Sequence, residues 1–339
     1  MNKFSWYEAK SVEDALQQVN STVSKELYQA TNKAAVFKSG GIDVMDWVKE
    51  GLLQPQKIIN IRNIPGLDKI SFDSKKGLRI GSNVTLTEMG SNPEIKAQYL
   101  ALHQAINHAA TPQLRNVSTL GGNIAQRNRC WYFRSAEHEC FRKGGYLCYA
   151  HHPENGENQD HAIIDNGSCV SVHASSIATA LMAYDARVVI ANSEGEKREV
   201  SMDDFFVSTS KDISKENILE AKELITEVVL PAPTKNTKSA YIKQVARESY
   251  DWSLADVAVV FEVSNNNTCR KASIVLGAAA PIPYRSMEAQ QAMEKMTINS
   301  SNAESAAKAA MSIARPLAKN SYKVALFEAT IKQAILDIS

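Results

Sequence analysis

Two pairs of adjacent glycines, Gly40-Gly41 and Gly121-Gly122, are flanked by side chains that can bind an anion. Paired glycines let a backbone approach a ligand closely and present consecutive N–H donors to it. The flanking polar residues are Ser39, Asp43, Ser118, Thr119 and Asn123. Together the two turns can hold a pyrophosphate between two subdomains. Each is also compatible with an ordinary tight turn, because neither matches the Walker A pattern or the Rossmann glycine pattern.

Four of the five cysteines follow the spacing Cys-x9-Cys-x7-Cys-x20-Cys, and the fifth, Cys269, stands apart. The four are Cys130, Cys140, Cys148 and Cys169. Four thiolates can close a zinc site or an iron–sulfur cluster. Nearby arginines and Gly144-Gly145 favour a cluster, because cations and free N–H groups offset its negative charge. Zinc stays an alternative because His151, His152 and His161, which could also ligate it, lie in the same stretch. Unligated reduced thiols are the third alternative, and Cys269 is expected to be a bystander.

A third polar group follows a predicted strand late in the chain, where Lys243 and Arg247 precede Tyr250 and Trp252. A cation there can pair with a cofactor phosphate or carbonyl while an aromatic ring packs on a planar ligand. Exposed cations beside half-buried aromatic rings are the alternative. The sequence contains no clear nucleophile with an adjacent base and no paired carboxylates. We therefore expect a cofactor, rather than a side chain, to carry any chemistry.

The composition is that of a soluble globular protein. The chain has 339 residues, 44% of them hydrophobic, and 38 Lys and Arg nearly balance 37 Asp and Glu. This length predicts two or three domains, and the net charge of +1 excludes nucleic acid as a partner. No apolar run reaches about 18 residues, so no membrane insertion is expected. The charged start predicts no export signal on this chain, and the odd cysteine count argues against a disulfide framework.

The elements that must position these residues can be predicted from local patterns. In the first part of the chain, Ser11 with Asp14 indicates a helix start, and the apolar run 34–37 indicates a strand before the first glycine turn. A helix is predicted over 45–50, and helical periodicity from Tyr99 ends at Pro112, before the second turn. The stretch 126–167 shows little periodicity, and such long loops generally have a function.

The second part of the chain again alternates helices and strands. A helix is predicted from Ser175, a strand pair over 187–191 and 199–202, and a strand over 224–230 that Pro231 ends. Three further strands are predicted over 240–245, 256–263 and 272–278, followed by helices. We place a domain boundary in the polar linker after Pro233, so that the rest forms a second α+β domain.

The two glycine turns resemble known cofactor-binding turns. Phe37–Val44 is similar to the first, and Arg115–Ile124 to the second, FAD-binding turn in the FAD-binding medium subunit of molybdenum hydroxylases. That family includes xanthine dehydrogenase, carbon monoxide dehydrogenase and aldehyde oxidoreductases. The resemblance extends from Phe4–Tyr7 through Glu223–Pro231 into the C-terminal part.

The resemblance implies an α+β fold with two domains. Residues 1–232 would form an FAD-binding domain of the vanillyl-alcohol oxidase type, with subdomains at about 1–57 and 58–232. Residues 235–339 would form a C-terminal domain like that of carbon monoxide dehydrogenase flavoproteins. The implied FAD-binding residues are Phe37, Lys38, Ser39, Gly40, Gly41, Ile42, Asp43, Val44, Asn116, Ser118, Thr119, Gly121, Gly122, Asn123, Ser176, Ile225 and Lys243.

Within this set, Ile225 and Lys243 match positions that approach the isoalloxazine ring. Several residues depart from the family pattern. Ile42 stands where a Thr is usual, and Ser176 stands where an Asp contacts the flavin. Lys38-Ser39 precede the glycine pair, where the family usually has an Ala, and Lys38 can compensate by charge for the hydroxyl lost at position 42. The affinity for FAD, or its potential, is therefore expected to differ from that of relatives.

The cysteine-rich stretch, residues 126–169, is similar to an insertion found in the subgroup that contains periplasmic aldehyde oxidoreductases. In that subgroup the insertion binds an extra [4Fe-4S] cluster. The resemblance implies that Cys130, Cys140, Cys148 and Cys169 ligate such a cluster here. Cys169, which lies furthest along the chain, would be the fourth ligand.

The resemblance implies an electron-transfer subunit without catalytic residues of its own. A large molybdenum-cytopterin subunit would oxidise the substrate, a small subunit would carry [2Fe-2S] clusters, and electrons would pass to FAD in this chain and on to an external acceptor. The alternatives are a self-contained flavin oxidase or dehydrogenase and a non-catalytic, zinc-binding assembly protein. The compartment would be the cytoplasm, or the periplasm if a signal-bearing partner exports the complex.

Overall fold

The computed structural model describes residues 2–152, 154–247 and 249–339. In these ranges the strands form three sheets. The first is parallel, with the order β1-β3-β2, and its strands are β1 (Ser5–Glu8), β2 (Ala35–Lys38) and β3 (Lys57–Asn60). The helices that accompany it are α1 (Val12–Gln18), α2 (Val23–Gln29) and α3 (Ile42–Lys49). The first glycine turn therefore joins the end of a strand to the start of a helix.

The second sheet has five antiparallel strands in the order β4-β5-β8-β6-β7. They are β4 (Ile70–Asp73), β5 (Gly77–Gly81), β6 (Arg187–Asn192), β7 (Lys197–Ser201) and β8 (Glu223–Leu230). The helices of this part are α4 (Leu86–Ser91), α5 (Pro93–Gln98), α6 (Leu100–Asn107), α7 (Pro112–Arg115), α8 (Leu120–Ile124), α9 (Ser176–Ala183) and α10 (Met202–Phe205). The second glycine turn lies in α8. Between α8 and α9 the described residues contain only two short 3₁₀ turns, Phe141–Lys143 and Tyr149–His151.

The third sheet is antiparallel, in the order β12-β11-β10-β9. Its strands are β9 (Thr237–Gln244), β10 (Ala255–Val263), β11 (Cys269–Gly277) and β12 (Tyr284–Arg285), and the helices that follow are α11 (Met287–Met293), α12 (Ser300–Met311) and α13 (Tyr322–Leu336). Phe261, Leu276 and Ile331 meet in the core between this sheet and these helices. Cys269 is buried in the same core, as expected of a bystander.

The structure confirms the predicted mixture of helices and sheets, and most local signals act as expected. The Ser11 side chain accepts a hydrogen bond from the Asp14 N–H and starts α1. The helix after the first glycine turn begins three residues before the predicted Met45, because Gly41, with φ of +84°, reverses the chain immediately before Ile42.

The C-terminal sheet and the irregular stretch share a core. Ile163 and Ile164 pack with the third sheet, and both donate backbone hydrogen bonds to the Ala279 carbonyl, at 2.9 and 3.0 Å. The stretch 126–169 is thus anchored at its far end by the C-terminal part of the chain. The domain bounds stay a prediction. No helix in the described ranges is long and apolar enough to cross a membrane.

Candidate functional site

The two glycine turns face each other across one cleft. Of the residues predicted to bind the cofactor, those that line it are Phe37, Lys38, Ser39, Gly40, Gly41, Ile42, Asp43, Val44, Ser118, Thr119, Gly121, Gly122, Asn123 and Ile225. Strand β2 and helix α3 present the first turn, α8 presents the second, and β8 contributes Ile225. Residues distant in sequence are therefore brought into one site, with a volume of about 230 Å³.

Glycine is required at Gly40 by the packing of the first turn on the second. A Cβ added there would lie 2.2 Å from the Val117 carbonyl oxygen. Because this oxygen belongs to the backbone, the clash could be relieved only by a shift of the chain. The turn continues through Gly41, which caps α3 without a side-chain acceptor. The first N–H groups of α3 are thus left free at the cleft, where a phosphate group would satisfy them.

A chain of hydrogen bonds joins the two turns beneath the cleft. The Ser39 hydroxyl donates to Asn83 Oδ1 at 2.6 Å. Because its single proton is used there, the 3.0 Å contact between Ser39 Oγ and Thr119 Oγ1 has Thr119 as donor. Thr119 Oγ1 also accepts from the Gly122 N–H at 3.3 Å. These bonds hold the turns in register and leave the glycine backbone exposed to the cleft.

Positive charge lines the cleft. Burial lowers the pKa of Lys38, helped by the nearby charge of Arg62, and its Nζ lies 3.3 Å from Asn60 Oδ1. The Arg129 guanidinium pairs with Asp43 at 3.3 Å, and its Nε is buried without a partner among the described residues. Free helix N–H groups, a half-buried lysine and an unsatisfied arginine donor suit a ligand with phosphate groups, so the residues present fit FAD.

The Asp43 carboxylate is engaged by the irregular stretch rather than free. Its Oδ2 accepts from the Arg127 backbone N–H at 3.0 Å, and its Oδ1 accepts from Arg134 at 2.5 Å. Arg134 also bridges to Asp46 at 2.7 Å and lies over the Trp47 ring. Helix α3 therefore connects the glycine turn directly to the cysteine-containing segment.

Three predicted cofactor residues do not line the cleft. Asn116 Oδ1 accepts from the Thr87 hydroxyl at 2.7 Å. Ser176 is buried at the start of α9, whose capping residue Ser175 bonds to Asn123. Lys243 Nζ donates to the carbonyls of His108 and Asp251, at 3.0 and 2.7 Å.

Sequence reasoning missed several residues that line or support the cleft. Asn83 is buried, and its amide also donates to the Ile61 carbonyl at 2.6 Å, so it ties the loop after β5 to the first sheet. Gln126, Arg127 and Arg129 line the cleft although they belong to the irregular stretch. Their position follows from three-dimensional packing, and only the cluster of arginines gave a local signal.

The cysteine-containing segment is folded tightly around Cys140. A Cβ on Gly145 would lie 2.0 Å from the Glu139 carbonyl oxygen, and the Gly145 N–H bonds to the Cys140 carbonyl at 3.0 Å. Cys140 and Cys148 each precede one of the two 3₁₀ turns. Gly144, with φ of +82°, lets the chain reverse between them. The glycine pair thus allows the turn that brings these two cysteines together.

The four thiols influence one another through space. Burial raises the pKa of Cys130 to about 12 and that of Cys140 to about 11, and it raises the pKa of Cys148. The charge of Cys169 contributes to all three increases, so Cys169 lies within electrostatic range of each. Cys140 and Cys169 are buried, whereas Cys130 and Cys148 are half-buried. Four cysteine thiolates are a donor set that an iron–sulfur cluster can use.

In the described ranges, no three His, Cys, Asp or Glu side chains lie close enough together to hold a single metal ion. All five cysteines are free of disulfides. A zinc ion requires thiolates about 2.3 Å from one centre, whereas a four-iron cluster spreads its ligands over a larger volume. The described residues therefore show no preformed site for a single zinc ion.

Two buried arginines share one buried glutamate beside these cysteines. Glu216 bridges Arg127 at 2.6 Å and Arg142 at 2.9 Å, and all three side chains are at most 3% exposed. Arg142 also lies 4.0 Å from the Cys169 sulfur and 3.3 Å from the Ser171 hydroxyl. The group carries one excess positive charge next to the thiols, which favours a negatively charged occupant.

The fold and the cleft define a class: a mixed helix and sheet protein with a basic, glycine-lined site for a cofactor that carries phosphate groups. Residues 2–233 match the family model for the FAD binding domain in molybdopterin dehydrogenase, and residues 240–338 match that for the CO dehydrogenase flavoprotein C-terminal domain. The chain belongs to this family of FAD-binding oxidoreductase subunits.

Relatives match over almost the full length. The aldehyde oxidoreductase FAD-binding subunit PaoB of Escherichia coli K12 is 30% identical over 323 residues, which are 95% of this chain and 96% of the relative. The carbon monoxide dehydrogenase medium chain of Hydrogenophaga pseudoflava is 26% identical over 337 residues, 98% of this chain and 96% of the relative. A solved carbon monoxide dehydrogenase structure from that organism has the same fold, with a TM-score of 0.72, 24% identity and coverage of 99% and 97% of the two chains.

Proposed function

We propose that this chain is the FAD- and [4Fe-4S]-binding electron-transfer subunit of a molybdenum hydroxylase complex of the aldehyde oxidoreductase or xanthine dehydrogenase type. The observation that carries the proposal is the cleft between the two glycine turns, where Gly40 packs on Val117 and the start of α3 is left uncapped. Bound FAD would store two electrons and give them to an external acceptor. The chain itself contributes binding, orientation and charge.

Gly40-Gly41 and the first N–H groups of α3 would hold the FAD pyrophosphate. Lys38 supplies the charge that compensates for the hydroxyl missing at Ile42. Asn123 and Ile225, which line the same cleft, would contact the flavin end. Ser176, Lys243 and Asn116 do not line the cleft and would act by supporting residues that do. Arg129 adds an unsatisfied donor to the site.

The [4Fe-4S] cluster is held by Cys130, Cys140, Cys148 and Cys169. Two observations support this assignment: the Arg142 guanidinium lies 4.0 Å from the Cys169 sulfur, and the Arg127–Glu216–Arg142 group carries one excess positive charge. Such a cluster supplies a one-electron store near the cofactor cleft. Arg127 and Arg129 line that cleft and closely precede Cys130 in the sequence, so the cleft lies next to the cysteine-containing segment.

The partners follow from the relatives, which are named as subunits or medium chains of larger enzymes. We infer a large molybdenum-cytopterin subunit and a small [2Fe-2S] subunit that delivers electrons to this chain. We also infer the domain division 1–232 and 235–339, with a vanillyl-alcohol oxidase type of FAD domain. The complex acts in the cytoplasm, or in the periplasm after export with a signal-bearing partner.

The cluster ligands are tested by single Cys→Ser variants at positions 130, 140, 148 and 169, each co-expressed with the partner subunits. Each variant is expected to lose most of the iron bound to this chain, measured after separation from the partner subunits, while keeping FAD, because the cleft is built from other residues. Cys269→Ser is the matched control, since Cys269 is buried in the C-terminal core. Iron contents unchanged in all four variants would refute the cluster assignment.

A further inference from the structure

A buried histidine faces one of the proposed cluster ligands. His161 is 3% exposed, and its Nε2 lies 3.3 Å from the Cys130 sulfur. The edge of the ring packs against Trp131, with ring centroids 4.8 Å apart. In the described residues its Nδ1 has no hydrogen-bond partner. The contact with sulfur is therefore the polar interaction that this side chain makes.

The backbone of His161 is held by the C-terminal part of the chain, 159 residues or more away. Asn320 Nδ2 donates to the His161 carbonyl at 3.0 Å, and Lys323 Nζ donates to the same carbonyl at 3.1 Å. Lys323 also donates to the Ala278 carbonyl at 2.7 Å. Both side chains are fully buried. Asn320 and Lys323 belong to the C-terminal part of the chain. Their hydrogen bonds to the His161 carbonyl hold its backbone, and with it the ring, next to the Cys130 sulfur.

A sulfur atom that ligates iron is a thiolate, which accepts hydrogen bonds and has no proton to donate. The His161 nitrogen facing it must then be the protonated one. A hydrogen bond to a ligand sulfur withdraws negative charge, and it does so more strongly when the cluster has gained an electron. Such a bond therefore stabilises the reduced state and raises the reduction potential.

We propose that His161 donates a hydrogen bond from Nε2 to the Cys130 sulfur of the cluster and thereby raises the reduction potential of the cluster, and that Asn320 and Lys323 position it. The proposal rests on the [4Fe-4S] cluster assigned above. His161 is a tuning residue, whereas the four cysteines are the ligands. The C-terminal domain thus sets the potential of a group bound in the other domain.

The test is a redox titration of the purified complex, followed by electron paramagnetic resonance of the reduced cluster, in wild type and in His161→Leu, His161→Asn and His161→Gln. The Leu variant is expected to shift the equilibrium for one-electron reduction about tenfold against the reduced state, or about 59 mV. His161→Gln, whose amide can still donate, is expected to lie between Leu and wild type. His138→Gln, in the same segment but paired with Ser135, is the control and should match wild type.

The outcomes separate this proposal from the assignment of the cluster. Wild-type protein without iron would refute the cluster itself. An iron-loaded Leu variant with an unchanged potential would overturn only the role of His161, and if Leu disrupts the fold, the same comparison holds for the Asn variant. Loss of iron from all three variants would make His161 essential for holding the cluster and would also overturn the tuning role. Lys323→Met is expected to shift the potential in the same direction as His161→Leu.

Discussion

Gly40 cannot carry a side chain without a shift of the backbone, because an added Cβ would lie 2.2 Å from the Val117 carbonyl oxygen. We expect Gly40→Ala to weaken FAD binding about tenfold or more, a loss of about 1.4 kcal/mol, because the new methyl group would force the first turn away from the Val117 carbonyl. Fluorescence titration of the flavin-free protein with FAD measures the change. Gly167→Ala is the matched control, since a Cβ there meets nothing within 4 Å. Equal affinities for both variants would show that FAD does not bind at this turn.

The Arg127–Glu216–Arg142 group gives a residue-level prediction about stability. Glu216→Gln would leave two buried guanidiniums without a counter-charge, and we expect a loss of about 3–5 kcal/mol in the free energy of unfolding. Denaturant titration measures it. Glu220→Gln is the control, because Glu220 is 68% exposed and its ion pair with Lys215 should contribute little. A loss below about 1 kcal/mol for Glu216→Gln would contradict the predicted importance of this group.

Residue-level prediction from sequence succeeded where a local pattern exists. The glycine turns and the cysteine spacing were visible, and the structure brings most of the predicted cleft residues together. Asn83 was missed because its hydrogen bonds to Ser39 and Ile61 depend on how the first two sheets meet. The pairing of Arg127 with Glu216, 89 residues apart, likewise has no local signal. Buried polar contacts between segments far apart in the chain cannot be predicted from patterns within a single sequence.

At the level of elements, α12 and α13 are joined by Glu304, whose carboxylate accepts from Lys308 at 2.8 Å and from Lys332 at 2.9 Å. These hydrogen bonds lower its pKa from 4.5 to about 2. A carboxyl whose pKa is lower in the folded state stabilises the fold above its unfolded pKa and loses that effect as the pH falls. The stabilisation should therefore be complete above about pH 4.5 and decline toward about pH 2.

We expect Glu304→Gln to lower the melting temperature at neutral pH and to approach wild type as the solution is acidified through this range. Added salt should also reduce the difference at neutral pH, because the group is exposed and its charges are screened. Thermal unfolding followed by circular dichroism measures both effects. A difference between the two proteins that is independent of pH would contradict the assigned ion pairs.

Element positions were largely predictable, and boundaries were not. The paired strands β6 and β7 and the helix α9 follow the expected apolar patterns. The start of α3 at Ile42 was missed because the positive φ of Gly41 moves the helix start to the turn itself. The segment 126–167 was correctly expected to be irregular, but its anchoring to the third sheet depends on contacts between residues far apart in the sequence, such as Ile163 and Ala279.

At the scale of the whole molecule, residues at the start of the cysteine segment line the cofactor cleft. The far end of that segment is held by the C-terminal core. Arg129 illustrates the first link, because it lines the cleft next to Cys130. Lys323 illustrates the second, because it binds the backbone of His161 from helix α13. The arrangement places a proposed one-electron site beside a proposed two-electron site within one chain.

The most direct test of this account is the cofactor content of the complex purified after co-expression with its partner subunits. Flavin and iron are measured on the isolated chain after separation from those partners under conditions that retain bound groups. The account predicts one FAD and four iron atoms per chain. A chain with FAD but no iron would contradict the cluster while leaving the cleft intact. Zinc without iron or flavin would contradict the account as a whole.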